Sequence, residues 1–194
     1  MKKFSICVLL AIMPLCYHDA ISATPEKTAE LKAHRLQVSG QDWALEISVP
    51  PDFLSEKQFE NEDSFHLRNK KTDFTISASL EKAATEGNSI AAREYYEKKA
   101  SKPLLKVKDI RRYEIGEAAI REFTVNDSRF QVLGGGTLVV KNVIYYLAHD
   151  GYWAVVHIIK LRYERSDKKL FEEILRNIKI VQVTKEASST ARDN

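Results

Sequence analysis

Alternating hydrophobic and polar positions dominate the chain after residue 33 and predict β-strands. Trp43, Leu45, Ile47 and Val49 alternate with polar or small residues before Pro50 ends the run, and a period of two is typical of a half-buried strand. Leu36 and Val38 lie across Gly40 from this strand and predict a hairpin partner. The same pattern predicts further strands around residues 65–67, 74–80, 104–115, 118–125, 130–133, 138–148, 153–161 and 179–183.

Two segments change to a helical period. Residues 88–101 are rich in helix formers, can be capped by Asn88 or Ser89, and stop before Pro103. The second helix begins at Ser166 or Asp167 and is strongly amphipathic. Its apolar stripe consists of Leu170, Phe171, Ile174, Leu175 and Ile178.

Asp150-Gly151, flanked by apolar runs, predicts a tight hairpin, because both residues tolerate the positive φ that its turn requires. This turn fixes the pairing of the two strands. One face then carries the pairs 147/154, 145/156 and 143/158, and the other carries 148/153, 146/155 and 144/157. Both faces are largely apolar, so the pair must lie centrally in a sheet that is covered on each side.

These elements predict an α+β fold, namely an α/β sandwich. Its central sheet is mostly antiparallel, with about six to eight strands flanked by helices. The two helices cover one face each, or are helped by the N-terminal segment.

The N-terminus predicts export. Lys2 and Lys3 precede an apolar run that is too short to span a bilayer, and small residues follow at Ser22 and Ala23. We expect a signal peptide over residues 1–23, cleaved after Ala23 or Ser22, and a periplasmic or secreted location. A flexible segment over 24–33, one domain over 34–184 and a disordered tail over 185–194 are then expected.

Cysteine and charge exclude several classes of protein. The two cysteines, Cys7 and Cys16, lie inside the predicted signal peptide, so the mature chain has no thiol chemistry. Lipidation of Cys16 remains open. The formal net charge is +3, and it becomes +2 without Lys2, Lys3 and Asp19, which does not predict nucleic-acid binding. The basic residues around Arg111 are interrupted by acidic ones and predict a solvated strand face.

The order of elements resembles one known superfamily. The residues that carry the likeness are 43–53 (WALEISVPPDF), 151–158 (GYWAVVHI) and 171–181 (FEEILRNIKIV). They resemble the PsbP-like/Mog superfamily, which includes DcrB-like bacterial envelope proteins. The resemblance implies this fold and mainly non-catalytic interaction roles. Because its members do unlike jobs, it assigns no site residue here.

No motif predicts catalysis or a metal. G-x-S-x-G is absent, and His149 and His157 fall on opposite faces of the predicted hairpin. His157 is therefore expected to be a hydrogen-bonded core histidine, while the tyrosines and tryptophan of the hairpin are expected to pack in the core. The weak metal candidate, Glu60, Glu62, Asp63 and His66, lacks a calcium-loop pattern and is better explained as an acidic loop.

The glycine run and one sequon have structural explanations. Gly134, Gly135 and Gly136 precede a β-branched segment rather than a helix, so we expect a bend or bulge and no nucleotide site. Asn126-Asp127-Ser128 matches a glycosylation acceptor but is expected to form a turn between strands.

We therefore expect no catalytic, cofactor-binding or metal-binding residues, no cofactor and no transmembrane segment in the mature chain. The predicted function is that of an exported, non-enzymatic binding or accessory protein of the bacterial envelope, in assembly, inhibition or immunity. Its expected partner is an envelope protein. The alternative is a periplasmic small-ligand-binding protein, or a hydrolase with a dispersed site.

Overall fold

The computed structural model describes residues 30–57, 62–100, 107–132 and 136–183. These residues form ten strands, two α-helices and a 3₁₀ turn at Arg165–Asp167. In chain order the elements are β1 (Lys32–Leu36), β2 (Trp43–Val49), β3 (Leu54–Ser55), β4 (Ser64–Asn69), β5 (Phe74–Lys82), α1 (Ser89–Lys99), β6 (Val107–Ile115), β7 (Ala118–Val132), β8 (Gly136–His149), β9 (Tyr152–Leu161), α2 (Lys168–Arg176) and β10 (Ile178–Gln182).

The larger sheet has seven strands in the order β3-β4-β5-β9-β8-β7-β6, and all of its pairs are antiparallel. The β8–β9 hairpin is near its centre, as predicted. Asp150 and Gly151 both have positive φ, at 47° and 74°, and the predicted register is confirmed from Leu147 opposite Ala154 to Ile144 opposite His157. A short turn that matches the strand twist thus sets the register of the β8–β9 pair.

One face of this sheet is covered by a second layer, made of the three-stranded sheet β1-β2-β10 and helix α2. The main core lies between the layers. Phe171 of α2 packs against Phe74 of β5 with ring centroids 4.9 Å apart, and Phe53 packs on the same ring at 6.4 Å. The N-terminal strands and α2 therefore cover this face together.

The opposite face is covered by α1. Ala92 lies against Ala119, Tyr146 and Trp153, and Tyr96 stacks on Tyr146 at 5.8 Å. The prediction that these aromatic residues pack in the core is confirmed. The helix begins where Asn88 accepts hydrogen bonds from the N–H groups of the first turn, each at 3.1 Å.

Gly87 is required for the entry into α1. A Cβ atom at this position would lie 2.6 Å from Cβ of Ala91. Contacts this short do not occur without movement of the backbone, so the chain can turn into the helix here only through glycine.

The predicted fold class is confirmed, and three local predictions are corrected. The expected strand at 130–133 is the end of the long strand β7, and Asn126 lies inside β7 rather than in a turn. The irregularity there is a shift of register between Asp127 and Gln131, because a bulge accommodates extra residues without ending the strand. Ile178 begins β10 and is not part of α2.

The start of α2 also differs in detail. Asp167 stands at the N-cap, as predicted, but its side chain makes no bond to the first turn of the helix. Its carboxylate instead accepts the backbone N–H of Glu164 at 2.8 Å. A 3₁₀ turn therefore precedes the helix, and a reciprocal capping box stabilises that turn.

His157 is a hydrogen-bonded histidine within the sheet, as expected. Its Nε2 lies 3.0 Å from Oδ1 of Asn142 on the neighbouring strand, and donates to it. Burial lowers the pKa of His157 from 6.5 to about 4, because the charged imidazolium loses its hydration in this environment. The ring is therefore neutral at physiological pH.

Glu46 connects all three strands of the smaller sheet. Arg35 of β1 and Lys179 of β10 lie directly opposite it on either side. Its carboxylate accepts a hydrogen bond from Nε of Arg35 at 2.7 Å and forms an ion pair with Nζ of Lys179 at 3.2 Å. These two cations, Arg35 first, hold the pKa of Glu46 below 4.5 against the opposing effect of its burial.

His157 predicts an acid-dependent loss of stability. Its folded pKa lies below the unfolded value, so its contribution is complete above pH 6.5 and is lost as the pH falls towards 4. The loss amounts to roughly 2–3 kcal/mol. His157→Gln keeps a donor for Asn142, so the melting temperature of this variant should vary less between pH 6.5 and 4 than that of the wild type. Parallel curves for the two proteins would contradict the assignment.

Glu46→Gln tests the cross-strand ion pairs. We expect the free energy of unfolding at pH 7 to fall by about 1–3 kcal/mol, because two cations lose their counter-charge. The wild-type contribution is present above pH 4.5 and is lost as the pH falls through the lowered pKa, so the two proteins should converge in acid. Glu172→Gln, at an exposed ion pair of α2, is the matched control and should cost less than about 1 kcal/mol. Equal losses of unfolding free energy in both variants would show that the ion pairs of Glu46 contribute no more to stability than an exposed pair does.

Candidate binding groove

The second layer does not extend across the whole large sheet. Helix α2 lies beside the strands β6, β7 and β8 and leaves a cavity of about 870 Å³ between them, a size typical of ligand sites. We call this cavity the groove. Its lining is Asp109, Arg111, Tyr113, Ile115, Glu122, Thr124, Val139, Lys141, Val143, Tyr163, Lys168, Phe171, Glu172, Leu175 and Arg176.

The floor of the groove is a paired polar network. The hydroxyl of Tyr113 donates a hydrogen bond to Glu122 at 3.1 Å, and Lys141 Nζ donates to the other oxygen of the same carboxylate. Lys141 also lies over the ring of Tyr163, 5.5 Å from its centroid. Burial, followed by the nearby charge of Glu122, raises the pKa of Tyr113. The phenol therefore stays protonated and acts as a donor.

A bulge shapes the end of the groove that β6 forms. The register between β6 and β7 shifts between Lys108 and Arg111, and Asp109 has a positive φ of 53°. This conformation turns the Asp109 carboxylate towards Thr124, whose hydroxyl donates to it at 2.8 Å. Bulges commonly redirect a side chain in this way at functional sites.

The rim of the groove is charged. Glu172 on α2 lies between Lys168 and Arg176, at 3.4 and 3.8 Å, so two cations share one carboxylate. Across the groove Arg111 lies opposite Glu122 in the strand pairing and forms no ion pair within the described parts of the chain. The wall beneath this rim is apolar and is formed mainly by Phe171, Leu175 and Val143.

The carboxylate of Glu122 is the centre of the polar network in the groove, because it is paired with Lys141 and hydrogen-bonded by Tyr113. What the groove offers is an apolar wall, donors and acceptors at fixed positions, and a charged rim. Such a surface is complementary to an amphipathic segment or small molecule.

The histidines weighed from the sequence do not meet. His149 and His157 lie on opposite faces of the β8–β9 hairpin, which confirms that prediction. His149 makes an edge-to-face contact with Trp43, with ring centroids 5.0 Å apart. His34 lies beside Phe65, at 6.0 Å. Each ring contact belongs to the packing of the two layers.

The acidic segment over residues 60–66 was the metal candidate of the sequence, and the structure describes it from residue 62 onward. Glu60 lies outside the described residues, and His66 is 3.3 Å from the carboxylate of Glu56. Within the described ranges, no group of three His, Cys, Asp or Glu side chains is placed to hold a metal ion. Glu62 and Asp63 line a separate polar cavity of about 770 Å³ beside the end of β5.

The last glycine of the run, Gly136, is the first residue of β8. Gly136 lies opposite Val132 in the strand pairing, while Gly134 and Gly135 lie outside the described residues. Gly136 therefore begins a strand, and no helix N-terminus follows it, as a phosphate-binding loop would require.

The groove was not predicted from the sequence, although one signal for it exists. Glu122 and Thr124 occupy the same side of β7 as the buried Ile120, and Lys141 has the same relation to the buried Val143. Polar residues at positions where the alternation requires apolar ones mark the part of a sheet face that its second layer leaves uncovered.

None of the helices in the described ranges is long and apolar enough to cross a membrane. This finding concerns α1 and α2, which are 11 and 9 residues long.

Comparison with known proteins shows similarity in structure alone. No protein-family model and no curated protein matches the sequence. The solution structure of cyanobacterial PsbP (CyanoP) from Synechocystis sp. PCC 6803 matches with a TM-score of 0.50 and 11% identity, over 82% of this chain and 98% of that chain. The Ran-binding protein Mog1p of Saccharomyces cerevisiae matches at 0.48 and 13%, over 79% and 97%. LpqN of Mycobacterium tuberculosis, involved in cell envelope biogenesis, matches at 0.40 and 9%, over 79% and 91%. At this low identity the similarity concerns the fold alone, and the chain has a PsbP-like fold, in agreement with the fold that the order of its elements predicted.

Proposed function

We propose that the protein is an exported, non-enzymatic binding protein of the bacterial envelope, and that it acts as an accessory factor by holding a partner protein in the groove. The observation that carries the proposal is the groove itself, which combines an apolar wall with a paired polar floor and a charged rim. The N-terminal pattern of residues 1–23 supports export.

The floor of the groove favours a partner with both polar and apolar groups. A purely apolar occupant would remove water from the Glu122–Lys141 pair without replacing its hydrogen bonds, which is costly for charged groups. A protein segment can place apolar side chains against Phe171 and Leu175 while its polar groups meet the rim. The mixed lining therefore supports a protein segment over a simple acyl chain.

The proposal of a non-enzymatic role rests on the state of the charged groups. Glu122 has its charge neutralised by Lys141, and Tyr113 is held as a neutral donor. Neither group is placed to activate a nucleophile. The fold itself hosts many functions and does not choose among them.

A small molecule is the second candidate occupant. The volume of about 870 Å³ lies within the range of small-ligand sites. Native mass spectrometry of the purified protein separates the two proposals, because a retained molecule of fixed mass would favour a small-ligand-binding protein.

Site-specific photocrosslinking in living cells tests the proposed function. A photoreactive residue at Glu172, on the rim of the groove, should crosslink to one defined envelope protein. The matched control is the same residue at Glu94, an exposed glutamate on α1 at the opposite face of the sheet. We expect the partner band from Glu172 and not from Glu94.

The charge of the rim supplies a second variant. Reversing Lys168 and Arg176 to glutamate should weaken this crosslink roughly tenfold while leaving the melting temperature within a few degrees, because rim charges mainly affect recognition. Equal crosslinking from both positions, or none from the rim, would refute a groove that binds protein. Retention of residues 1–23 in the purified protein would refute export through a cleaved signal peptide.

A further inference from the structure

Strand β6 is the last strand of the seven-stranded sheet, and no other strand in the described ranges pairs with its outer side. Among the described residues, two of the large hydrophobic side chains left exposed lie on it, Ile110 and Ile115, with 44% and 38% of their surface accessible. The pairing with β7 is regular from Arg111 to Ile115 and shifts at the bulge before Arg111. A regular ladder of five residues is therefore available on the outer side of β6.

The turn that follows β6 determines which backbone groups face outward. Ile115 pairs with Ala118 across the two-residue turn of Gly116 and Glu117. In such a hairpin the pair that closes the turn is hydrogen-bonded, and hydrogen-bonded and non-hydrogen-bonded pairs alternate along the strands. The N–H and C=O groups of Arg112 and Glu114 consequently point away from β7, towards the open edge.

These outward groups limit how a second copy of the chain can pair with β6. In an antiparallel ladder, residues directly opposite each other share the same hydrogen-bonding state. A register that pairs these outward groups therefore places Arg112 or Glu114 opposite Arg112 or Glu114 of the second copy. One register places Arg112 opposite itself and another places Glu114 opposite itself, and both oppose like charges. The third register places Arg112 of each copy opposite Glu114 of the other copy, and a two-fold axis relates the two pairs.

We propose that β6 pairs with β6 of a second copy in this third register, with Tyr113 on the two-fold axis. The interface is self-complementary, as a symmetric dimer requires. It forms two reciprocal Arg112–Glu114 contacts on one face of the joined sheet. On the other face Tyr113 lies opposite Tyr113, and Arg111 lies opposite Ile115, whose apolar surface the arginine stem can cover.

The side chains already present suit this arrangement. Arg112 donates three hydrogen bonds to Glu97 of α1, at 2.9–3.1 Å, and 48% of its side-chain surface remains accessible. The guanidinium is thus oriented along the face of the sheet and can donate to a second carboxylate. Both copies of the groove then lie on the same face of the joined sheet and meet at Tyr113, whose hydroxyl belongs to the groove floor.

Cysteine substitutions test the proposed register. In a chain carrying Cys7→Ser and Cys16→Ser, an introduced cysteine is the sole thiol. Tyr113 and its symmetry mate form a non-hydrogen-bonded pair with Cα atoms about 4.5 Å apart, which is within the range of disulfides. Tyr113→Cys should therefore form a disulfide-linked dimer under mild oxidation. The control is Glu117→Cys, in the exposed turn, which reports random collision.

A mixing experiment fixes the register without changing Tyr113. Arg111→Cys and Ile115→Cys should each form little disulfide-linked dimer when oxidised alone, and should form a heterodisulfide when mixed, because residue 111 lies opposite residue 115. We expect the yields from the mixture and from Tyr113→Cys to exceed that of Glu117→Cys at least about tenfold, owing to the high effective concentration of the paired thiols. Thermal melts check that each variant is folded.

Charge reversal gives an independent measurement. Glu114→Arg should weaken the dimer roughly tenfold in sedimentation velocity, and adding Arg112→Glu to the same chain should restore it. Yields no higher than that of Glu117→Cys, or a mixture that fails to form the heterodisulfide, would overturn the proposal. The dimer and the crosslink from the groove rim are measured in separate experiments. Absence of the dimer would therefore not contradict the proposed function, and absence of the crosslink would not contradict the dimer.

Discussion

The structure depends on one constraint, which is that the β8–β9 hairpin is apolar on both faces. Val156 and Ile158 are fully buried on one face, and Trp153 is nearly so on the other. A strand pair of this kind is stable only between two covering layers. Helix α1 supplies one layer, and α2 together with the three-stranded sheet supplies the other. The antiparallel ladder then extends outward from this hairpin until the covering layers end.

The limited extent of the second layer creates the groove. Because α2 does not reach across β6 and β7, the side chains there lie between the fully buried core and water. Ionic groups in such a position need partners but retain part of their hydration. Glu122, Lys141 and Tyr113 satisfy one another in this setting. The same residues placed under the three-stranded sheet, in the dry core, would have to be apolar.

The turn conformation and the register of the central hairpin were predictable from the sequence, but the position of the covering helix over the sheet was not. The Asp150-Gly151 turn determines its register through backbone conformation alone, so the two faces of the hairpin could be assigned residue by residue. The continuity of β7 through its bulge was missed, because Asn126 favours turns locally while the neighbouring strand imposes pairing. The groove was missed because it depends on where α2 lies over the sheet. Only the polar residues at core-facing positions of β7 and β8 indicated the groove.

Among the described residues, strand β6 is where both the sheet and its covering layer end, so the proposed groove and the proposed dimer edge meet on one strand. No strand of the described part of the chain pairs with its outward backbone groups, and one of its faces forms a wall of the groove. Charged residues and bulges normally protect such an edge from association. Here the bulge lies before Arg111 and leaves the rest of the strand regular. The charges at 112 and 114 are opposite in sign and two residues apart, so they repel in two registers and attract in one. An edge of this design limits pairing to one geometry rather than preventing it.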